Sequence, residues 1–419
     1  MYNAQPMTTR TKLLWVAALY FAEGFPLGLV SDFLPVYFRQ HSISLKEIGL
    51  LSLIGLPWTL KFLWAPAIDL WGERKRWMIV CQIGVALSLL ALSQFDPARM
   101  SPALWALLLC LPLFSATQDI AIDAYTIELM QPHEMGRANG VRMAAYRVAL
   151  MSMGGLLAVA GWMGWTAGFV IGALCMVLTA VICARADDRL TGRVRTPSSL
   201  GLKEQAVEVT VGAFRQFLAR PGFLFVMLFI LLFKLGDMAM GPMIKPFWVD
   251  RGFTPAQIGL VSVTIGVGMT TLGALLGGFL TDRWGIFKAL WILGLAQAGS
   301  NLLYAVAASV PTSVPLIYSA SILESFTGGL GTGPFLAFLM SICDKRHAAT
   351  QYALLSALFG FTRVVSGSVS GFGADQMGYS AYFLLTFFLA FPAYLLLPWL
   401  KPWTQSKPQN KPQNQIISQ

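Results

Sequence analysis

Two stretches decide how this chain folds: Asp69-Leu70-Trp71-Gly72-Glu73-Arg74-Lys75-Arg76 and Asp282-Arg283-Trp284-Gly285-Ile286-Phe287-Lys288. Each has an acid, a glycine three residues on, and a basic group two or three residues further; the two acids stand 213 residues apart. Each closes a long apolar run that opens on the same tripeptide, Ile48-Gly49-Leu50 in one copy and Ile258-Gly259-Leu260 in the other. The chain reads as two halves repeated head to tail.

The runs around these copies set the solvent. Of 419 residues, 56% are hydrophobic and 12% charged, and the mean hydropathy is +0.63. A soluble chain is roughly 25% charged, so lipid must cover part of this apolar surface. Leu104 to Leu129 and Phe223 to Trp248 exceed the ~20 residues that a helix needs to cross a bilayer. They are too long and too uniformly apolar for barrel strands, which alternate over ~10 residues. The expected fold is all-α and integral to the membrane. Twelve transmembrane helices are expected at 13–38, 48–70, 78–95, 102–128, 138–163, 165–184, 222–249, 257–281, 287–308, 314–342, 350–374 and 380–399, called spans 1 to 12 below. The longest polar gap divides them six and six. Residues 1–184 and 221–400 are expected to form pseudo-symmetric six-helix bundles, 185–220 a linker and 401–419 a disordered tail. A parallel repeat of six-span halves is one of the transporter architectures.

Basic residues orient the chain. The terminal segments and the connections after even-numbered spans hold 20 Lys and Arg, and those after odd-numbered spans hold 4. Cytoplasmic loops attract basic residues, so both termini and the linker are expected in the cytoplasm, in a multi-pass inner-membrane protein. The same rule accounts for the net charge of +10 without any nucleic-acid partner. The five cysteines lie in or at the ends of apolar segments with no metal-binding spacing, so no metal or cofactor is expected. No cleavable signal peptide is expected at the start, where the first apolar stretch is long and interrupted by Glu23, Pro26 and Asp32. The chain has no HExxH, no phosphate-binding loop ending Gly-Lys-Ser/Thr and no Ser-His-Asp set. Those absences weigh against a membrane-embedded enzyme and against ATP drive from this chain; a receptor fits a duplicated plan less well than a solute carrier, which is expected to act as a monomer.

At these motifs the sequence resembles the major facilitator superfamily. Asp69-x-x-Gly72-x-Arg74 is similar to its signature between spans 2 and 3, and Asp282-Arg283-Trp284-Gly285 to the looser repeat between spans 8 and 9. Within it the chain resembles the AmpG-type permeases, whose relatives include acetyl-coenzyme A transporters and short siderophore permeases. The stretches concerned are Glu47 to Leu53, Leu60 to Pro66, Ser115 to Ala124, Lys234 to Asp237, Glu324 to Thr332 and Thr350 to Ala357. The resemblance implies secondary active import by alternating access, with spans 1, 4, 7 and 10 lining the pathway. It implies a bulky, anionic solute such as an anhydromuropeptide. AmpG muropeptide permeases carry hydrophobic segments beyond twelve, and this chain has room for twelve only, so a ferric siderophore remains an alternative solute.

Ionisable groups at membrane depth are costly, by ~2.5–3.5 kcal/mol or more, and mark function. They fall in spans 1, 2, 4, 5, 7, 10 and 11 and are essentially missing from spans 3, 6, 9 and 12. Asp119 and Asp123 are one helical turn apart and share a face. With Lys61, Arg142, Asp69, Gly72, Arg74, Asp282 and Arg283 they are expected to form a charge lock at the inward gate. Burial lets a carboxyl group load and unload a proton near neutral pH. The proton-coupling candidates are accordingly Glu23 and Glu324, with Asp237 and Asp32 behind them. Arg147, Lys234 and Arg363 are the candidates for holding an anionic solute, with Tyr20 and Tyr146 beside it. Gly24, Pro26, Gly328, Gly329, Gly331 and Pro334 are read as hinges, because proline removes a helical donor and glycine relaxes the backbone.

Overall fold

The protein is described here from a computed structural model covering residues 8–70, 73–131, 134–185, 222–343 and 348–404. All regular structure among these residues is helical. Ten helices are long and apolar enough to cross a membrane. The last of them, Leu355–Trp403, holds spans 11 and 12, which meet at Gly378 with a φ of 75° outside helical geometry. Span 2 adds the twelfth crossing as a string of short α and 3-10 turns from Leu45–Leu50 to Ala65–Leu70. The chain is thus a multi-pass membrane protein with the expected twelve crossings. The connection 185–220, apart from Arg185, and the tail beyond 404 lie outside the described residues, as does Gly72.

The repeated tripeptides begin in the same way. Ser44 accepts from the backbone N–H of Glu47, whose carboxylate reaches back to Ser44; Thr254 and Gln257 do the same one repeat later. Such reciprocal caps satisfy two orphan donors at a helix start. The glycines that follow bring the two halves together. A Cβ on Gly49 would lie 2.7 Å from the backbone nitrogen of Gly371, and one on Gly259 2.5 Å from the carbonyl oxygen of Gly154. Span 2 therefore meets span 11, and span 8 meets span 5, at the face opposite the one where residue 9 starts span 1, the far face below.

The apolar core shows the consequence. One cluster at the far face draws on both halves, including Phe33, Leu34 and Met153 with Met243, Trp248 and Ile258. Towards the other face the core divides. One cluster there is built by Val16, Tyr20, Ile122 and Tyr125 of the first half, another by Phe229, Phe335, Phe338 and Leu397 of the second. The halves are joined at the far face and have separate cores at the face of the described termini. There Thr9 and Lys12 of span 1 bind the Glu134 carboxylate at the start of span 5, at 2.5 and 2.9 Å.

Several helices depart from regular winding, though not always where glycine and proline suggest. In span 1, Thr9–Gly28 passes into a π-wound segment, Leu29–Phe33. Pro26 has no N–H to give the Ala22 carbonyl, and Gln118 Nε2 donates to that carbonyl at 2.6 Å instead. Span 7 breaks at Phe233 and Lys234, between Phe223–Leu232 and Leu235–Asp250. Span 10, Val314–Ile342, runs as one helix through Gly328 to Pro334. Its glycines serve contact. A Cβ on Gly329 would lie 2.8 Å from the nitrogen of Ala274, and one on Gly333 2.7 Å from that of Gly278. Small residues let membrane helices approach backbone to backbone.

Two outcomes follow for stability. Gly329→Leu overpacks the seam between spans 8 and 10 and lowers thermal stability in detergent by about 1–3 kcal/mol or more, whereas Gly328→Ala, whose Cβ meets only Glu324 Oε1 at 3.9 Å, leaves it nearly unchanged. Hydrogen bonds from Thr9, Lys12 and the Gln131 backbone hold the Glu134 carboxyl down to about 2 from its ordinary 4.5. The stabilisation is therefore complete above pH 4.5 and is lost as pH falls towards 2. The difference in melting temperature between the natural chain and Glu134→Gln is expected to shrink over that window.

Candidate functional site

The charged residues singled out from sequence gather into three groups. The first lies wholly within the first half. Tyr20 donates to Asp123 Oδ1 at 2.6 Å, Arg142 pairs with the same oxygen at 3.3 Å, and the Arg142 guanidinium lies 4.5 Å from the centre of the Tyr20 ring. Lys61 pairs with Asp119 at 3.8 Å. Glu23, one turn from Tyr20, lies within electrostatic reach of all four charged residues. Its Oε2 and Asp119 Oδ1 are buried without a hydrogen-bond partner. The group holds three acids and two bases. Asp123 has Arg142 and Asp119 has Lys61, which leaves Glu23 as the acid without a cation of its own.

Tyr146 connects this group to the solute candidates. It lies within electrostatic reach of Glu23, Asp119, Arg147 and Arg363, so arginines from span 5 and span 11, one from each half, come within reach of the same tyrosine. Arg147 is half-buried and Arg363 exposed.

The second group centres on Lys234, at the break in span 7. Its ammonium donates to Gln297 Oε1 at 2.6 Å, to the Gly328 carbonyl at 3.1 Å and to Thr332 Oγ1 at 3.1 Å, with Asp237 Oδ2 at 3.5 Å. An ammonium has three protons; the three shortest contacts take them, and Asp237 pairs with the ammonium as its counter-charge. Lys234, expected to hold solute, ties spans 7, 9 and 10 together in this conformation. Gly331 leaves room for the Gln297 side chain, which a Cβ there would strike. Glu324 stands a turn before Gly328, with Ser325 Oγ at 3.4 Å.

The third group joins the halves, and it is not the expected one. Lys61, Asp119, Asp123 and Arg142 pair among themselves in this conformation. The ion pairs between the halves lie at the far face: Arg39 with Asp250 at 2.6 Å, Lys46 with Asp375 at 3.0 Å and Lys245 with Asp32 at 3.2 Å. Tyr379 adds a hydrogen bond to Asp250 at 2.6 Å. Arg39, Lys46, Asp250 and Asp375 read as ordinary loop charges in the sequence. The signal that reveals one pair is the repeat: Arg39 and Asp250 close spans 1 and 7, at matching places in the two halves, with opposite charge.

At the signature loops, Arg74 donates to the Ile68 carbonyl at 2.9 Å and pairs with Glu128 at 3.4 Å, fastening the end of span 2 to the end of span 4. The Asp69 side chain lies outside the described residues. Asp282 and Arg283 are exposed, and Gly285 has a φ of 81°, which explains a glycine at that place.

Helices crossing twelve times in a repeated plan, with charged clusters buried in each half and ion pairs joining them, define a membrane solute carrier. The family model of the Major Facilitator Superfamily matches residues 16–236 and 226–417. The chain belongs to that superfamily and, within it, to the AmpG-type permeases. It is 33% identical over 387 residues to the anhydromuropeptide permease of Escherichia coli strain K12, covering 90% of this chain and 77% of that protein. It is 27% identical over 401 residues to the putative transporter AmpG 4 of Rickettsia conorii, covering 93% and 96%. Among solved structures it matches a bacterial homologue of the human lysosomal transporter Spinster (TM-score 0.73, 16% identity, 94% and 97% covered) and a D-xylose–proton symporter (TM-score 0.71, 12% identity, 92% and 96% covered). These establish the fold. The relatives named are transporters, not enzymes.

The Lys234 cage is open to direct test. Gln297→Leu removes the shortest bond to a buried ammonium, which costs about 1.5–3 kcal/mol. Denaturant titration of the purified protein is expected to show that loss, and Gln297→Glu, which keeps an acceptor, is expected to show less.

Proposed function

We propose that this protein is a proton-coupled importer of the inner membrane, carrying an anionic, bulky solute of the anhydromuropeptide type by alternating access. The observation that carries the solute is the 33% identity, over 90% of the chain, to a permease described as transporting anhydromuropeptides. The siderophore alternative has no support from the relatives named above.

In this reading residues 1–184 and 221–400 are the two units that rock, 185–220 links them, both termini face the cytoplasm and one copy suffices. Arg147 and Arg363, brought to one region from opposite halves, bind carboxylates of the solute from both sides, which favours closure around it. Glu23 is the proton carrier in the first half, because its neighbours Asp119 and Asp123 already have Lys61 and Arg142 as partners. A carboxyl group left over in a low-dielectric cluster is the one that stays neutral or exchanges its proton. Tyr20 and Tyr146 hold the acids and arginines in place around it.

The test is uptake of labelled anhydromuropeptide into proteoliposomes under an imposed pH gradient. A charge-assisted hydrogen bond contributes about 1.5–3 kcal/mol, so Arg147→Ala and Arg363→Ala are each expected to lower uptake roughly 10- to 150-fold. Glu23→Gln is expected to keep downhill exchange and lose the response to the gradient. Uptake by Glu23→Gln with unchanged pH dependence removes the proton role, and uptake of a ferric siderophore in place of the muropeptide moves the protein to the alternative solute.

A further inference from the structure

The three ion pairs between the halves differ in kind. Arg39 grips Asp250 through two parallel bonds of 2.6 Å. Lys46 and Asp375 lie at the rim, with side chains 44% and 41% exposed. Lys245 and Asp32 form the inner pair, 12% and 19% exposed, held through a single oxygen at 3.2 Å. Asp32 sits in the π-wound segment Leu29–Phe33 of span 1. The other partner of Lys245 is Ser262 Oγ at 2.7 Å, in the π-wound segment Ile258–Ile265 of span 8. The inner pair thus hangs on two stretches of irregular winding, a feature that recurs at working sites.

When the halves part at the far face, Asp32 leaves with the first half while Lys245 stays beside Ser262. A buried ammonium stripped of its counter-charge is strongly disfavoured, so the second half must supply another acid. Asp237 is engaged with Lys234. Glu324 is not so engaged. It lies within electrostatic reach of Lys245, Lys234, Asp237 and Tyr304. Span 10 packs on span 8 one turn from Ser262 at the residue next to Glu324, since a Cβ on Gly266 would lie 3.1 Å from Ser325 Oγ.

We propose that Lys245 couples protonation to the far gate by exchanging Asp32 for Glu324 as the halves part. Ionised Glu324 accepts Lys245 and the gate opens. Protonated Glu324 has no charge to offer, Lys245 returns to Asp32 and the gate closes. The proton comes from and returns to water. The inference rests on the alternating-access reading above and is independent of the solute.

The experiment measures the distance between spin labels at Gln94 and Thr312, exposed residues at the far face of the two halves. It uses the full chain with its own cysteines replaced, in lipid nanodiscs without solute, between pH 5 and 9. The distance is expected to be short at low pH and to lengthen as pH rises. Glu324→Gln is expected to stay short throughout, and Asp32→Asn to lengthen at lower pH than the natural chain. Lys245→Gln is expected to lose the response and Lys245→Arg to keep it. Should Lys245→Gln fail to fold, Glu324→Gln and Asp32→Asn decide. A natural chain with no pH response, or a Glu324→Gln or Lys245→Gln variant with the natural response, overturns the proposal. Muropeptide uptake that fails while the distance still follows pH removes the solute reading alone; uptake that persists while the distance ignores pH removes this inference alone.

Discussion

An ionised side chain inside a bilayer needs a counter-charge or a full set of hydrogen-bond partners within reach, and this molecule is arranged around that demand. Of the six cations within the spans, Lys61, Arg142, Lys234 and Lys245 each pair with an acid carried by the same half or by the half across the interface. Arg147 and Arg363 come instead to the region around Tyr146. Among the described residues these two have no ion pair, which is why the proposed binding of an anionic solute rests on them.

Close approach of backbone is the second constraint. The two halves meet through glycines, Gly49 on Gly371 and Gly259 on Gly154, and the same kind of contact knits span 8 to span 10. These seams are close, small-residue contacts, and ion pairs sit around them at the far face. The combination suits an interface that must come apart. Dispersion contact is lost in one step, while each ion pair can be released or exchanged by a change of charge.

Much of this was legible in the chain. Apolar runs of spanning length placed the twelve crossings within about four residues of where they lie. The repeated Ile-Gly-Leu marked the capped starts of spans 2 and 8, and its glycine proved to be the contact between halves. The spacing of Asp119 and Asp123 put both acids on one face, where Lys61 and Arg142 meet them. Composition read without neighbours leaves more open. In the glycine run of span 10, backbone atoms of span 8 fill the space where side chains at Gly329 and Gly333 would be. Span 7 breaks at Phe233 and Lys234, neither of them a glycine or a proline, and Lys234 is caged by Gln297 of span 9, whose one charged residue, Lys288, sits at the helix start.

The sequence by itself determined the membrane class, the number of crossings, the duplication and the superfamily. These rest on local hydropathy and on short motifs, and burial in lipid leaves a helix no other way to satisfy its backbone. Only the tertiary structure decided which charge meets which. Arg39 finds Asp250 across 211 positions, Lys46 finds Asp375 across 329, and Lys245 finds Asp32 across 213. Ion pairing depends on distance in space, and that distance is set by how twelve helices pack, which the spacing along the chain does not encode.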